Sequence, residues 1–214
     1  MIQTKKIATG TAAVLFVTIF VASLFITKQE GVKADTFGYG TLPNTHWDIG
    51  NWKQIASCFT APANGNISSI TWGIGAGILV DEYANAEVGI FSSVGGVPTT
   101  LLASGHGTVH IYTGEHWNTI ALSSPYSITE GTSYCLAAIN FSNGDENYIL
   151  YDSVAPQHGF GYGEVYDTEE FVSPFTDSDN YQFNSGYNTP IYATYTASSG
   201  GSSQPQNPRV IIFE

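Results

Sequence analysis

Three histidines lie close enough in the sequence to supply nitrogen ligands to a metal ion. His106 and His110 are four residues apart, which places both side chains on one face of a β-strand. His116 follows as a candidate for the third ligand that a metal site needs. Ordinary surface histidines are the alternative interpretation, and the sequence leaves both open.

Alternating oxygen side chains form a second candidate metal site. The segment Asp177-Ser178-Asp179-Asn180 carries carboxylate, hydroxyl and amide oxygens, the ligands that Ca²⁺ prefers. Asp152 precedes another loop and could join them. The pattern therefore allows a structural Ca²⁺ held by Asp152, Asp177, Asp179 and Asn180, whereas a polar turn with no ion explains the same residues.

Catalytic motifs are missing from the sequence. It contains neither Gly-x-Ser-x-Gly nor His-Glu-x-x-His, and no phosphate-binding glycine loop. The adjacent carboxylates Glu169 and Glu170 lie in a polar stretch with no sign of burial, which argues against a glycosidase pair. We therefore predict no catalytic residues, no required cofactor and no enzymatic activity.

Large aromatic residues occur in segments that do not alternate like strands. They lie among Gly, Asn and Asp residues and comprise Trp47, Trp52, Phe160, Tyr162, Tyr166 and Tyr187. Flat rings beside polar side chains can stack on sugars, so these residues are the predicted ligand-binding platform. For that, segments 46–52 and 160–166 must meet in space; otherwise the rings plug one end of the fold.

Charge excludes one class of partner. Residues 35–196 contain 16 acidic residues and one basic residue, Lys53, which gives this span a net charge of −15 with neutral histidines. Such a surface repels phosphate backbones, so we expect no nucleic-acid binding.

The N-terminus carries an export signal. Lys5 and Lys6 precede an uncharged run over residues 7–26, the pattern that directs the following chain across a membrane. Val32-Lys33-Ala34 favours cleavage, whereas the length of the apolar run favours a permanent membrane anchor. Residues 1–34 are thus predicted as a signal peptide or an anchor helix, and the remainder as extracellular or displayed on the cell surface.

Cys58 and Cys135 are the only cysteines. In an oxidising compartment they could form one disulfide, and two small buried side chains are the alternative.

Short apolar strands separated by turns predict an all-β domain over residues 35–196. Strands are expected at 53–60, 66–74, 86–91, 108–112, 117–122, 132–139, 148–151 and 190–195. The predicted core comprises Phe59, Ile70, Ile90, Leu102, Leu122, Leu136, Ile139 and Ile191. Residues 197–214 are predicted to be a Ser/Gly/Pro linker followed by a short apolar tail. The tail either has no partner or pairs with the edge of a strand.

Four stretches of this domain resemble a family of secreted jelly-roll domains of unassigned function, found in exported and phage-like surface proteins. They are residues 59–70, residues 88–104, residues 117–137, and residues 151–153 with 191–195. The family usually has Trp where this chain has Cys135. The resemblance implies a single antiparallel jelly-roll β-sandwich, similar to carbohydrate-binding modules and used for display, adhesion or assembly.

Two functions remain open at this point. The first is an extracytoplasmic, non-catalytic module that binds glycans or another surface ligand. The second is a structural or coat subunit that self-associates through strand edges or its C-terminal tail.

Overall fold

The computed structural model describes residues 34–43, 45–48, 53–140, 147–153, 158–164 and 170–198. The predicted N-terminal helix, the apolar run at residues 7–26 and the tail at residues 199–214 lie outside these ranges. The strands in chain order are β1 (Ala34–Tyr39), β2 (His46–Asp48), β3 (Lys53–Thr60), β4 (Gly65–Val94), β5 (Val97–Ile128), β6 (Ser133–Asn140), β7 (Asn147–Leu150), β8 (Phe160–Glu164), β9 (Asp179–Asn184) and β10 (Ile191–Ala197).

The described residues form an all-β structure in which every strand pairing is antiparallel, as the sequence predicts. The main path of the sheet is β1-β10-β4-β6-β3-β8-β9; β5 pairs with β4, and β7 lies between β2 and β4. One 3-10 turn, Phe175–Asp177, is the only helical element within the described ranges. None of the described residues forms a helix long and apolar enough to cross a membrane.

Strands β4 and β5 form one long hairpin with two arms. In the proximal arm, residues 65–76 of β4 pair with residues 114–128 of β5, and β4 also pairs there with β10 and β7. In the distal arm, residues 81–94 pair with residues 97–112, and β4 pairs there with β6. The pairing register shifts between Ala76 and Asp81, where the two arms join. Each arm therefore belongs to a different half of a curled sheet.

The core lies between these two halves. The proximal half contributes Ile70, Trp72 and Ile191, and the distal half contributes Ile90 and Leu136. Apolar residues alternate with outward-facing ones along the strands, so each half presents one apolar face to the other. Of the predicted core residues, only Leu102 is half-buried, and it packs against the same cluster. Ile139 is buried on the opposite face of β6, in a second cluster.

The second cluster covers the outer face of β3, β6 and the distal part of β4. Phe171 and Phe175 pack edge-on against Phe91, with ring centroids 5.2 and 5.1 Å apart. Gln54 fixes this segment because its amide donates to the Phe175 carbonyl at 3.2 Å and accepts from the Val172 N–H at 2.9 Å. The central strands are therefore buried on both faces.

Cys58 and Cys135 lie beneath this segment. They are direct partners in the register of β3 and β6, and the structure joins them by a disulfide that closes a loop with a sequence separation of 77. The described cysteines are therefore both oxidised.

The segment at residues 160–166 folds differently from expectation. Residues 160–166 were predicted not to form a strand, yet Phe160–Glu164 is β8, paired with both β3 and β9. This strand is hard to recognise in the sequence because its glycines contribute no apolar side chains to an alternating pattern. Gly161 packs closely here, since a Cβ would lie 3.2 Å from the Tyr181 ring, which would have to shift by a few tenths of an ångström.

Candidate functional site

The outer face of the distal arm carries a continuous set of side chains able to bind a ligand. Inward-facing residues of this arm, such as Ala84, Val88 and Ile111, belong to the core. The residues between them face outward in four opposed pairs, which we call the outer ladder: Asp81–Tyr112, Tyr83–His110, Asn85–Thr108 and Glu87–His106. The ladder spans about 20 Å, because its ends are six residues apart along a strand rising about 3.4 Å per residue.

Aromatic rings dominate the end of the ladder nearest the proximal arm. Tyr83 stacks on His110 with ring centroids 4.6 Å apart, and His110 lies 5.3 Å from the Tyr112 ring. Tyr83 is 74% exposed and Tyr112 is 45% exposed. Large rings left this open on a sheet face are available to contact a ligand.

Asp81 adds a hydrogen-bonding group to these rings. Its Oδ1 lies 2.6 Å from Nε2 of His110, so the imidazole N–H donates to the carboxylate. The Asp81 side chain is 81% exposed, which leaves most of it in contact with solvent. Rings and a carboxylate therefore lie side by side on one surface.

His116 holds the bend that places Tyr112 at this surface. Its ring is buried, stacks on Tyr112 at 3.9 Å, and has its two nitrogens 3.1 Å from the carbonyl oxygens of Gly114 and His110. Gly114 has φ of +96°, in the left-handed region that favours glycine. Burial lowers the pKa of His116, and the two carbonyl contacts act in the opposite direction.

Glu87 closes the far end of the ladder. It is only 2% exposed, and its carboxylate accepts a hydrogen bond from the Phe171 N–H at 2.9 Å. His106 Nε2 lies 3.4 Å from the other oxygen. Burial raises the pKa of Glu87, and nearby Glu170 acts in the same direction, whereas the hydrogen bonds and His106 lower it. This carboxylate thus anchors the segment that carries Phe171.

The three histidines do not converge on one metal. His106 and His110 do share a face, but four strand residues separate them by about 13 Å, and each is paired with its own carboxylate. His116 lies beyond the bend with both nitrogens near carbonyl oxygens. Within the described part of the chain, no group of three His, Cys, Asp or Glu residues could hold a metal ion.

Of the four proposed calcium ligands, the structure describes the side chains of Asp152 and Asp177. The Asp152 carboxylate accepts hydrogen bonds from Tyr39 and from the Asn188 amide. Asp177 lies in the 3-10 turn, and Asp179 and Asn180 begin β9, although their side chains fall outside the described atoms. The Asp152 carboxylate therefore joins Tyr39 of β1 to Asn188.

Of the aromatic platform predicted from the sequence, the structure describes only the side chains of Tyr162 and Tyr187. Tyr162 is buried in the core, with its hydroxyl 2.7 Å from Gln182 Oε1, so its ring cannot face a ligand. Tyr187 is half-buried against Tyr151. Trp47 and Phe160 lie on β2 and β8, and their side chains are outside the described atoms, as are Trp52 and Tyr166 entirely. Strands β2 and β8 have different partners.

Comparisons with known proteins complete this description. No protein-family model and no curated protein matches the chain. Two solved structures each match over 77% of it. One is a clostridial cysteine protease, Cwp84, after propeptide cleavage, with 20% identity, a TM-score of 0.49 and 40% of that chain covered. The other holds the cysteine protease and lectin-like domains of Cwp84, a surface layer associated protein of Clostridium difficile, with 18% identity, a TM-score of 0.46 and 36% covered.

Proposed function

We propose that this chain is a non-catalytic, extracytoplasmic β-sandwich module of the jelly-roll type that binds carbohydrate through the outer ladder. The observation that carries the proposal is the pair of exposed rings, Tyr83 and Tyr112, on one sheet face beside Asp81. The two sheet halves that enclose the core support the sandwich architecture.

The chemistry of the ladder suits a sugar. An exposed tyrosine ring offers a flat apolar surface for the C–H face of a pyranose, while its hydroxyl remains in water. Asn85, Thr108 and Asp81 supply donors and acceptors for sugar hydroxyls on the same face. The open part of the ladder, from Asp81 to Asn85, is about 14 Å long and accommodates more than one sugar unit.

The location follows from two features of the chain. A basic N-terminus followed by the apolar run at residues 7–26 favours export, by cleavage or as an anchor. The disulfide between Cys58 and Cys135 fits an oxidising compartment. Both features support display at the cell surface or secretion.

Glycan-array binding of residues 35–198 and its variants tests the proposal. We expect Tyr83→Ala and Tyr112→Ala each to weaken binding at least tenfold, because each removes an exposed stacking surface. Val94→Ala is the matched control, since Val94 is 67% exposed but lies at the hairpin tip. Thermal melts must show all three variants folded. If neither tyrosine substitution weakens binding, the outer ladder is not the binding site.

Self-association is the second candidate function. Among the described strands, β5 pairs only with β4, and near Leu101 its other side is covered by Ser173, whose Oγ accepts from the Leu101 N–H at 3.0 Å. An unpaired edge can accept a strand from another molecule. Native mass spectrometry across a concentration series distinguishes the two functions, since a coat subunit forms oligomers without any glycan. The same spectra report bound Ca²⁺.

A further inference from the structure

The outer ladder lies in acidic surroundings. Asp81 lies at its aromatic end, and Glu115 follows Tyr112 just beyond the bend. Across residues 35–196 the only basic residue is Lys53. Lys53 is on β3, with its amine 6.0 Å from the ring centroid of Tyr162, a residue of the core. No lysine or arginine of the described chain therefore lies in the ladder to offset its carboxylates.

The exposed rings add a second attraction for positive charge. One face of Tyr83 stacks on His110, and the 74% exposure of Tyr83 means that most of its remaining surface is open to solvent. A cation placed over a tyrosine face is attracted by the negative centre of the ring. Asp81 is two residues before Tyr83 on the same outward face, so a cation over the ring is also near a carboxylate.

We infer that the outer ladder selects cationic amino sugars: glycans whose sugar units carry a protonated or quaternary amine. The inference rests on the proposed function, because it names the sugar class that the same surface takes. Anionic glycans are repelled by the carboxylates. Neutral glycans can stack on Tyr83 and Tyr112 but gain nothing from the charge. The expected preference for cationic over neutral polymer is about tenfold, the combined effect of one exposed cation–π contact and one carboxylate about 4 Å away in water.

Oligosaccharides with one backbone and different amine substitution provide the test. The probes are N-acetylated chitin hexamer (neutral), N-trimethyl chitosan hexamer (a permanent cation) and hexalysine, a cation without sugar. Titration calorimetry at pH 7.5 measures the dissociation constant of each. The trimethyl form is used because its charge does not depend on pH.

Variants separate charge from stacking. We expect Asp81→Asn to reduce the preference for the trimethyl over the acetylated hexamer at least threefold, with little change in binding of the acetylated hexamer. Tyr83→Ala should weaken binding of both hexamers. Asp177→Asn is the matched control, because Asp177 is exposed but lies in the 3-10 turn, outside the ladder. The preference should also shrink as salt rises from 50 to 500 mM.

Each other outcome overturns the inference in a distinguishable way. Equal affinity for both hexamers retains the proposed function but refutes selection for cations. Hexalysine binding as tightly as the trimethyl hexamer, or Asp177→Asn lowering the preference as much as Asp81→Asn, shows that net charge alone attracts cations. If neither hexamer binds, the inference fails, and the glycan array decides the proposed function separately.

Discussion

Gly105→Ala is the sharpest test of how the sheet curls. Gly105 lies in the distal arm of β5, opposite Val88, whereas Ala121 lies in the proximal arm, opposite Ser69. A Cβ at Gly105 would overlap the Ala121 carbonyl oxygen and lie 2.8 Å from the Leu122 Cα. The two arms of one strand therefore approach each other so closely that only glycine fits.

The cost of the extra methyl group follows from what it meets. Overpacking costs about 1–3 kcal/mol when side chains can adjust. Here the obstructing atoms are backbone, so the arms themselves must separate and we expect about 3 kcal/mol. For a domain of this size, that lowers the melting temperature by roughly 6–12 °C.

Gly107→Ala is the matched control for this substitution. A Cβ there would meet only side-chain atoms of Ile120, the nearest at 3.1 Å, which can move by a few tenths of an ångström. Both substitutions reduce the entropy of the unfolded chain equally, so their difference isolates the contact. In differential scanning calorimetry, Gly107→Ala should lower the melting temperature by less than half as much as Gly105→Ala does. If Gly105→Ala melts at or above the temperature of Gly107→Ala, the arms do not touch as described.

Two further predictions concern buried titratable groups. Glu87→Ala should cost about 1–3 kcal/mol in urea unfolding, because the Phe171 N–H loses its acceptor. Glu87→Gln keeps an acceptor for this N–H. As pH rises from 4 to 8, its free energy of unfolding should increase relative to that of the parent, because a raised pKa means that Glu87 loses stabilisation as pH rises. Parallel pH profiles of the two proteins contradict this. Burial lowers the pKa of both His116 and His158, so their stabilisation is present above pH 6.5 and lost below it. From pH 7 to 5 the melting temperature of a His116→Gln/His158→Gln variant should rise relative to that of the parent; a difference that stays constant across this range refutes the assignment.

Much of the fold was predictable from the sequence where apolar and polar residues alternate clearly along a strand. The strand predicted at 53–60 matches β3 residue for residue, because no glycine or proline interrupts it. Prediction failed where glycine replaces apolar side chains. The sequence was interpreted as separate strands ending at Ile74 and restarting at Ala86, whereas β4 continues through both. Gly73 and Gly75 remove the alternation there, yet both pair within the sheet.

The site was harder to predict because it depends on pairing between strands. Polar and aromatic residues at Tyr83, Asn85 and Glu87 alternate with small apolar ones, so the outward face was visible in the sequence. The predicted platform instead consisted of rings in glycine-rich segments. One of them, Tyr162, is covered because its side chain belongs to the core.

The register of the distal arm explains why local sequence could not place His110 beside Tyr83. The two-residue turn Gly95-Gly96, with φ of +61° and +83°, sets the pairing of Val94 with Val97. Continued without interruption, that pairing would place Tyr83 opposite Thr108. Two register shifts, on either side of Phe91, each add one residue to the β5 side and move His110 opposite Tyr83. Because the total shift is two residues, every side chain keeps its face. The irregularities therefore change which outward groups meet while leaving the core intact, and they create the contact between Tyr83 and His110 on which the proposed site depends.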